Sequence, residues 1–363
     1  MIKFNSWIKN INRMFIPRPS KEVNKRFDHA ERIINYSDEY FYKFLDTVTQ
    51  EDFITYPSYA DYDNLKDKIA EYNNVTRENI YLSTGSGACI KSLCEITMNP
   101  GYNIVSNVPS YPMYGIYGRI FGGEHVGVSY VDTTFSLKSL MGAVNDKTRL
   151  VIIANPNSPM GDYKTIDELR EVCEYLNKRD IIFLIDEAYV DFSPGTMLPL
   201  INEYKNVVIS RTFSKAFGAA GIRVGYLLAD KSLIDVVTKV QLTYPLSGTS
   251  VKFACFLLDN IYDVKEYTEK TIRDRDILCD MLESSQYDVV RSHTNSIHFH
   301  ESNGDNSKTI NKMKNVGLAF KSGNTKTGTA VRIPGDERES WIRLSVGPDV
   351  DKIIGDILCL NIK

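Results

Sequence analysis

The sequence lacks several features that would point to other classes of protein. No apolar run is long enough to span a bilayer, and the N-terminus has no apolar core of a signal peptide. The six cysteines among 363 residues include no CxxC pair, which predicts buried free thiols rather than disulfides or a metal site. A formal net charge of -3 gives no basic excess for nucleic acid. These absences predict a soluble, cytoplasmic protein that binds a small molecule, and a length of 363 residues is enough for two domains.

Residues 1–26 depart from this plain composition. Apolar side chains recur there at helical spacing among seven lysines and arginines, and they are Phe4, Trp7, Ile8, Ile11 and Phe15. A basic amphipathic segment of this kind suits an arm that packs on a partner subunit, or a surface for anionic lipid. The arm is the favoured interpretation, with no membrane partner expected.

Short apolar runs separated by helical patterns fill the middle of the chain. LVIIA (150–154), IIFLI (181–185) and VVIS (207–210) are rich in β-branched residues, and Thr165 with Glu168 predicts a capped helix between the first two. Such runs are typical of strands buried on both faces of a parallel sheet. Polar motifs follow each run, at the strand ends where α/β sheets bind ligands.

The stretch SRTFSKAFGAAGIRVGY (210–226) combines a central lysine with groups that bind phosphate. A lysine captures a carbonyl carbon only if its amine is partly desolvated and neutral often enough to attack, and Lys215 is the candidate. Thr212 and Ser214 supply hydroxyl donors, and Arg223 supplies a planar cation for a dianion. The stretch therefore indicates a Schiff-base lysine beside a phosphate cup.

Together with three further motifs, this stretch resembles the fold-type I pyridoxal phosphate (PLP) enzymes, and within them the histidinol-phosphate aminotransferase-like group of the class I/II aminotransferases. The other motifs are NPNSPMG (155–161), DEAYVDF (186–192) and IRLSVG (342–347), in the family's order. The resemblance covers about residues 50 to 350. It implies an α/β fold with a mainly parallel central sheet flanked by helices, and a smaller α+β domain.

The resemblance also implies a domain organisation. Residues 1–49 would form an N-terminal arm that joins the small domain, residues 50–249 the large PLP-binding domain, and residues 250–363 the small C-terminal domain. A long charged helical stretch begins near Ser250 and runs through Glu283.

Two catalytic groups besides Lys215 follow from the resemblance. Asp186 would hold the ring nitrogen of PLP protonated, because an ion pair in a buried place favours the charged pyridinium. Tyr189 would reach the phenolic oxygen of the ring. The family's asparagine contact to the same oxygen maps to Asn157, but Ser158 stands immediately before the proline, so either side chain is a candidate.

The remaining cofactor contacts are implied on three further segments. Gly85, Ser86 and Gly87 form a glycine-rich turn that opens a helix, where backbone N–H groups can hold the cofactor phosphate. Tyr111 would stack on the ring. Tyr56 resembles the tyrosine that crosses a dimer interface to the neighbouring cofactor phosphate, so a homodimer is expected.

Two arginines are the predicted substrate ligands. Arg343 would grip an α-carboxylate with two parallel hydrogen bonds, and Arg332 would meet a distal phosphate. The expected reaction moves an amino group between an amino acid, taken to be glutamate, and a small carbonyl compound, phosphorylated or not. A PLP-dependent decarboxylase of an O-phospho amino acid is the alternative, and a non-catalytic, cofactor-binding regulator or membrane-associated scaffold is a third. The triplet HFH (298–300) lacks a third metal ligand, so no metal is expected.

Overall fold

The computed structural model describes residues 4–12, 25–322 and 341–360. The strands of these ranges are β1 (Lys25–Arg26), β2 (Ile80–Thr84), β3 (Asn103–Val108), β4 (Glu124–Ser129), β5 (Thr148–Ala154), β6 (Ile182–Asp186), β7 (Val207–Thr212), β8 (Val224–Ala229), β9 (Tyr287–Val290), β10 (Ser296–Glu301), β11 (Leu318–Ala319), β12 (Lys321–Ser322) and β13 (Ile342–Ser345). The α-helices are α1 (Asp38–Leu45), α2 (Glu51–Ile54), α3 (Tyr59–Asn73), α4 (Ser86–Thr97), α5 (Met113–Ile120), α6 (Leu137–Gly142), α7 (Ile166–Asn177), α8 (Leu200–Glu203), α9 (Lys231–Val237), α10 (Gly248–Asp259), α11 (Ile261–Ser284), α12 (Ser307–Asn315) and α13 (Val350–Leu358).

The larger sheet has the strand order β2-β8-β7-β6-β5-β3-β4. The pairs β4–β3, β3–β5, β5–β6 and β6–β7 are parallel, whereas β8 runs antiparallel to both β7 and β2. In register, Ala154 lies opposite Asp186, and Asp186 lies opposite Ser210. The carboxyl ends of β5, β6 and β7 therefore meet at one edge, and the three polar motifs of the large domain leave the sheet side by side.

Local sequence signals predict most of these elements. Thr165 and Glu168 form a complete capping box at the start of α7, as expected from their spacing. The cysteines are free, and five of the six are buried. The single long helix expected from Ser250 to Glu283 is two helices, because the chain leaves helical geometry at Asn260, where the side-chain amide donates to the Phe256 carbonyl at 2.8 Å.

A second, antiparallel sheet has the order β12-β13-β10-β9. Its buried face, with Ile297, Phe299 and Leu344, packs with helices α11 and α13 in a separate core. Phe27 from the N-terminal segment belongs to the same core, and its carbonyl accepts from the Ser345 amide at 2.8 Å. Strand β1 pairs in parallel with β11. Residues 25–27 are thus built into the smaller unit, whereas Phe44 of α1 lies in the core of the large sheet, so the predicted arm of residues 1–49 is shared between the two units.

Packing bears on where the two units divide. Val251, Phe253 and Leu257 of α10 lie in the core of the large sheet, and α10 packs on α3. The buried residues of α11 from Leu278 onward lie in the second core. We therefore propose a boundary near residue 260, about ten residues beyond the one expected from the sequence.

Part of the basic N-terminal segment packs on its own chain. The Trp7 indole Nε1 donates to the Ile120 carbonyl at 3.1 Å, at the end of α5. Phe4 remains exposed. Residues 13–24 lie outside the described residues, so the predicted contact of this arm with a partner subunit stays a prediction. Across residues 4–12, 25–322 and 341–360, every helix is too short or too polar to cross a membrane.

Candidate active site

Lys215 lies in a tight turn directly after β7. The turn is closed by hydrogen bonds from the Gly218 amide to the Lys215 carbonyl and from the Ala219 amide to the Phe213 carbonyl, both at 2.9 Å. The lysine Nζ donates to the carbonyl oxygens of His29 and Ala30 at 3.3 and 3.2 Å. These neutral acceptors come from the N-terminal segment, so two distant parts of the chain define the position of the amine.

Asp186 ends β6 and is 5% exposed. One carboxylate oxygen accepts from the Tyr114 hydroxyl and the other from the Ser210 hydroxyl, each at 2.7 Å. Burial raises the pKa of Asp186, and the two hydroxyl donors and the charge of Lys215 offset only part of that rise. A buried carboxyl group in this state gains most from a cationic partner, such as the protonated nitrogen of a pyridine ring.

Tyr189 lies near Lys215 of the large unit and feels the charge of Arg343 from the smaller sheet. Its ring centroid is 5.2 Å from the Lys215 Nζ. Burial alone would raise the pKa of Tyr189, but the positive charges of Lys215 and Arg343 and a hydrogen bond with Ser158 lower it overall. The Tyr189 hydroxyl is therefore a good hydrogen-bond donor to another oxygen in the site.

The glycine-rich turn before α4 leaves a helix N-terminus without a side-chain cap and without an acidic residue in its first turn. Gly85 has φ 78°, and a Cβ there would lie 2.5 Å from a terminal nitrogen of Arg223. A Cβ on Gly225 of β8 would lie 2.1 Å from the Ser86 amide nitrogen. Glycine at positions 85 and 225 therefore lets the backbone of the turn approach Arg223 and β8 closely, at a helix N-terminus of the kind that binds anions.

The side chains around this turn match it in charge. Arg223 Nη1 donates to the Ser214 hydroxyl at 3.3 Å, and the Thr212 hydroxyl donates to the same oxygen at 3.0 Å. A guanidinium, two hydroxyls and an uncapped helix N-terminus form a cup for a phosphate dianion. With Lys215 and Asp186 on the neighbouring strand ends, the residues present fit PLP.

Asn157 forms its side-chain hydrogen bonds with neighbouring loops. Its Oδ1 accepts from the Ser110 hydroxyl at 2.8 Å, and its Nδ2 donates to the Pro109 carbonyl at 3.0 Å and to the Tyr130 hydroxyl at 2.6 Å. Both hydrogens of Nδ2 and one acceptor direction of Oδ1 are thus used within the protein, so the side chain stabilises the loop. Ser158, which contacts Tyr189, is the side chain that the geometry favours at the cofactor oxygen.

Arg343 reaches the site from the smaller sheet. Its Nη2 donates to the Ser158 hydroxyl at 3.1 Å, across from β13 to the loop after β5. Within the described ranges no carboxylate forms an ion pair with it. A half-buried guanidinium without an acidic partner is available to a carboxylate ligand.

Lys321 lies beside Arg343 and was missed by the sequence analysis. The two residues are directly opposite in the β12–β13 pair, so their side chains share one face. Burial and then the charge of Arg343 lower the pKa of Lys321 to about 8, against the attraction of Asp28. The only sequence signal for Lys321 would have been its cross-strand register, which cannot be read from one strand.

Arg332, the predicted phosphate ligand, lies outside the described residues.

The two tyrosines expected around the cofactor have different surroundings. The ring of Tyr111 lies 5.5 Å from that of Tyr114 in an edge-on arrangement, and a Cβ on Gly87 would lie 3.3 Å from its hydroxyl. It is thus next to the phosphate cup. Tyr56 is 75% exposed, and its ring stacks on Tyr244 at 4.3 Å.

Tyr114 and Ser210 are two further residues that the sequence analysis missed. Tyr114 follows Tyr111 by three positions, one helical turn later, and Ser210 is the cross-strand neighbour of Asp186. The position of each residue relative to a predicted site residue was a weak sign that it belongs to the site. A buried carboxylate needs donors for both oxygens, and the residues adjacent to it in space were the place to look for them.

A lysine at the end of one parallel strand, a buried carboxyl group at the end of the next and a phosphate cup beside them define a PLP-dependent enzyme of fold type I. More specifically, the chain belongs to the aminotransferase class I and II family, whose model matches residues 32–354. The fold class, the cofactor and the enzyme class predicted from the sequence are confirmed by this membership and by the relatives described next.

Named relatives fall in two groups of this family. The chain is 31% identical over 240 residues to an aromatic amino acid aminotransferase of Mycolicibacterium smegmatis, over 65% of this chain and 66% of that protein, about two thirds of its length. It is 31% identical over 298 residues to histidinol-phosphate aminotransferase 2 of Carboxydothermus hydrogenoformans, over 79% and 77%. The structure of histidinol-phosphate aminotransferase from Sinorhizobium meliloti in complex with pyridoxal-5'-phosphate superposes with a TM-score of 0.81 at 21% identity, over 98% of this chain and 95% of that one.

Proposed function

We propose that the protein transfers the amino group of glutamate to a small carbonyl compound that carries a second anionic group. One observation carries this proposal: Arg343, without an acidic partner among the described residues, reaches Ser158 beside Tyr189. An α-carboxylate bound there would place the substrate amino group toward Lys215. The named relatives, which include histidinol-phosphate aminotransferases, support a phosphorylated acceptor.

Each cofactor-binding group has a proposed role. When bound, PLP supplies an electron sink for the bonds at the substrate Cα. Asp186 would pair with its ring nitrogen, Tyr189 and Ser158 with its ring oxygen, and Tyr111 with its ring face. The phosphate would lie among the backbone amides and side chains of Gly85, Ser86, Gly87, Thr212, Ser214 and Arg223, with Tyr56 supplied by a partner subunit.

Lys215 also acts as the base in this proposal. As general base, its Nζ would take the proton from the substrate Cα, and as general acid it would then donate that proton to the reactive carbon of the cofactor. The carbonyls of His29 and Ala30, which accept from Nζ here, would steady the amine when it is free. The same N-terminal segment covers the lysine on one side and so limits the access of water.

Lys321 is the proposed second anion ligand. It shares the face of Arg343, and a cation there would meet the side-chain carboxylate of glutamate or the phosphate of the acceptor. Arg332 stays a prediction for the same group.

A product assay with L-glutamate alone tests the proposal. In the absence of an acceptor, the PLP-loaded enzyme is expected to release one equivalent of 2-oxoglutarate per subunit and then stop, because the amino group remains on the enzyme. Catalytic release of carbon dioxide from an O-phospho amino acid, with no 2-oxoglutarate from glutamate, would instead support the decarboxylase.

A homodimer in the cytoplasm is the proposed working form. Large apolar side chains are exposed on neighbouring segments around the Tyr56–Tyr244 stack, namely Phe53, Ile54, Tyr59 and Leu242. Burial of such a patch is favourable by about 25 cal/mol for each Å² of apolar surface. Sedimentation equilibrium at twice the mass of the 41.3 kDa chain would support this assembly, and a monomer at micromolar concentration would refute it.

Tyr114→Phe is expected to lower kcat/KM about tenfold while the protein still folds. The substitution removes the donor to one oxygen of Asp186, and a hydrogen bond to a charged group contributes about 1.5 to 3 kcal/mol. Because that donor lowers the pKa of Asp186, its loss should also move the acid limb of the pH–rate profile to higher pH. Ser210→Ala removes the donor to the other oxygen of Asp186 and should shift the acid limb in the same direction. A shift to lower pH in either variant would contradict this role.

A further inference from the structure

His298 occupies a position in the smaller sheet next to the proposed substrate ligand. It lies on β10 directly opposite Arg343 of β13, and Lys321 lies on the other side of Arg343. Directly paired residues on neighbouring strands share one face of a sheet. The flanking Ile297 and Phe299 point to the opposite face, into the core. Lys321, Arg343 and His298 therefore lie in one row on the same face of the sheet.

The imidazole of His298 is buried without a hydrogen-bond partner. The residue is 1% exposed, and within the described ranges neither ring nitrogen has a donor or acceptor. A buried polar group left unpaired costs roughly 1 to 3 kcal/mol, and most buried polar groups in proteins are paired. A leucine of similar size would fill the position without that cost. A purely structural role thus leaves the histidine unexplained.

The ring is also held neutral. Burial, followed by the charge of Arg343, lowers the pKa of His298 to about 3. At neutral pH one ring nitrogen carries a hydrogen and the other has a free lone pair. The group beside Arg343 is consequently a neutral N–H donor that adds no charge repulsion to the guanidinium.

We propose that His298 is a specificity-determining residue that donates an N–H hydrogen bond to the anionic group bound by Arg343. A guanidinium takes two of the roughly four acceptor directions of a carboxylate, which leaves room for a donor from the adjacent strand. The inference rests on the proposed role of Arg343 and extends the carboxylate site from one residue to two. It also accounts for the unpaired ring, which finds its partner only when the anion binds.

Two substitutions at this position separate hydrogen bonding from packing. His298→Leu keeps the volume and removes the donor, whereas His298→Gln keeps an N–H donor. The probe is maleate, a dicarboxylate with no amino group, titrated into PLP-loaded enzyme of matched cofactor content. We expect His298→Leu to weaken maleate binding about 10- to 100-fold and His298→Gln to stay within about threefold of the unsubstituted protein. In the absence of maleate, His298→Leu should unfold at the same temperature or a higher one, because an unpaired polar group has been removed.

Several results would overturn the inference. Maleate affinity unchanged within about twofold in His298→Leu, or weakened equally in His298→Gln and His298→Leu, would show that no hydrogen bond is made. A lower unfolding temperature in both variants with unchanged affinity would show a structural role only. Arg343→Ala tests the carboxylate site separately from His298. If this substitution abolishes maleate binding and those at His298 do not weaken it, the proposed function stands and the role of His298 fails. If Arg343→Ala binds maleate normally, the proposed carboxylate site itself is wrong.

Discussion

Replacing Lys215 with alanine is expected to abolish steady turnover and the covalent attachment of PLP to the protein. The Nζ of Lys215 is the amine that the turn after β7 and the carbonyls of His29 and Ala30 hold in the site. The phosphate cup does not involve that amine, so PLP should still bind, but reversibly. Borohydride reduction followed by peptide mass spectrometry measures the attachment directly.

A second amine makes this experiment decisive. Lys321 has a pKa lowered to about 8 and is close enough to Lys215 for their charges to interact. An amine in that state is a competent nucleophile at mildly alkaline pH. Lys321→Ala is therefore the matched control and should keep the adduct on Lys215. An adduct of full yield on Lys321 in the unsubstituted protein would show that the lysine has been misassigned.

Asp186→Asn is expected to reduce kcat by about three orders of magnitude or more while the protein folds normally. A neutral amide cannot stabilise a positive charge on the ring nitrogen, and electrostatic stabilisation of this kind is among the largest contributions to catalysis. Folding should survive because asparagine has the same shape, and the hydroxyls of Tyr114 and Ser210 can each rotate to donate or accept.

Asp162→Asn is the control for this substitution. Asp162 is a partly buried carboxyl group in the loop after β5, where it accepts from the Tyr130 hydroxyl at 2.6 Å, and it has no proposed contact with the cofactor. Single-turnover rates with glutamate should fall far more in Asp186→Asn than in Asp162→Asn. Rates of Asp186→Asn close to those of the unsubstituted protein would remove Asp186 from the site.

The sequence predicts the site residues that depend on strand order and misses those that depend on register. Asp186 and Lys215 follow neighbouring buried runs, and neighbouring parallel strands end at one edge, so their proximity could be expected. Tyr114 reaches Asp186 from helix α5, and Lys321 reaches Arg343 as its cross-strand partner. The spacing of Tyr111 and Tyr114 leaves only a weak local signal, and the cross-strand pairing of Lys321 leaves none within its own strand.

The choice between Asn157 and Ser158 shows a second limit. Both residues lie in the loop after β5, one position apart, and the loop path decides which side chain faces the site. That path is held by distant partners of Asn157, the Ser110 hydroxyl and the Pro109 carbonyl. A local sequence motif cannot predict contacts between residues so far apart in the chain. The break at Asn260 between α10 and α11 was missed for a different reason, because apolar residues continue at helical spacing through it.

The hydrogen bond from the Ala30 amide to the Ser345 hydroxyl joins residues 315 positions apart. During synthesis the segment around Ala30 leaves the ribosome first, whereas β13 leaves it more than three hundred residues later. The strands of the large sheet are all complete once Ala229 has emerged, so this sheet can assemble on the nascent chain. At that stage β13, the partner of the segment around Ala30, has not yet been synthesised. The carbonyls that hold Lys215 are consequently among the last parts of the site to be fixed, and a chain arrested before β13 would carry the lysine turn without its cover.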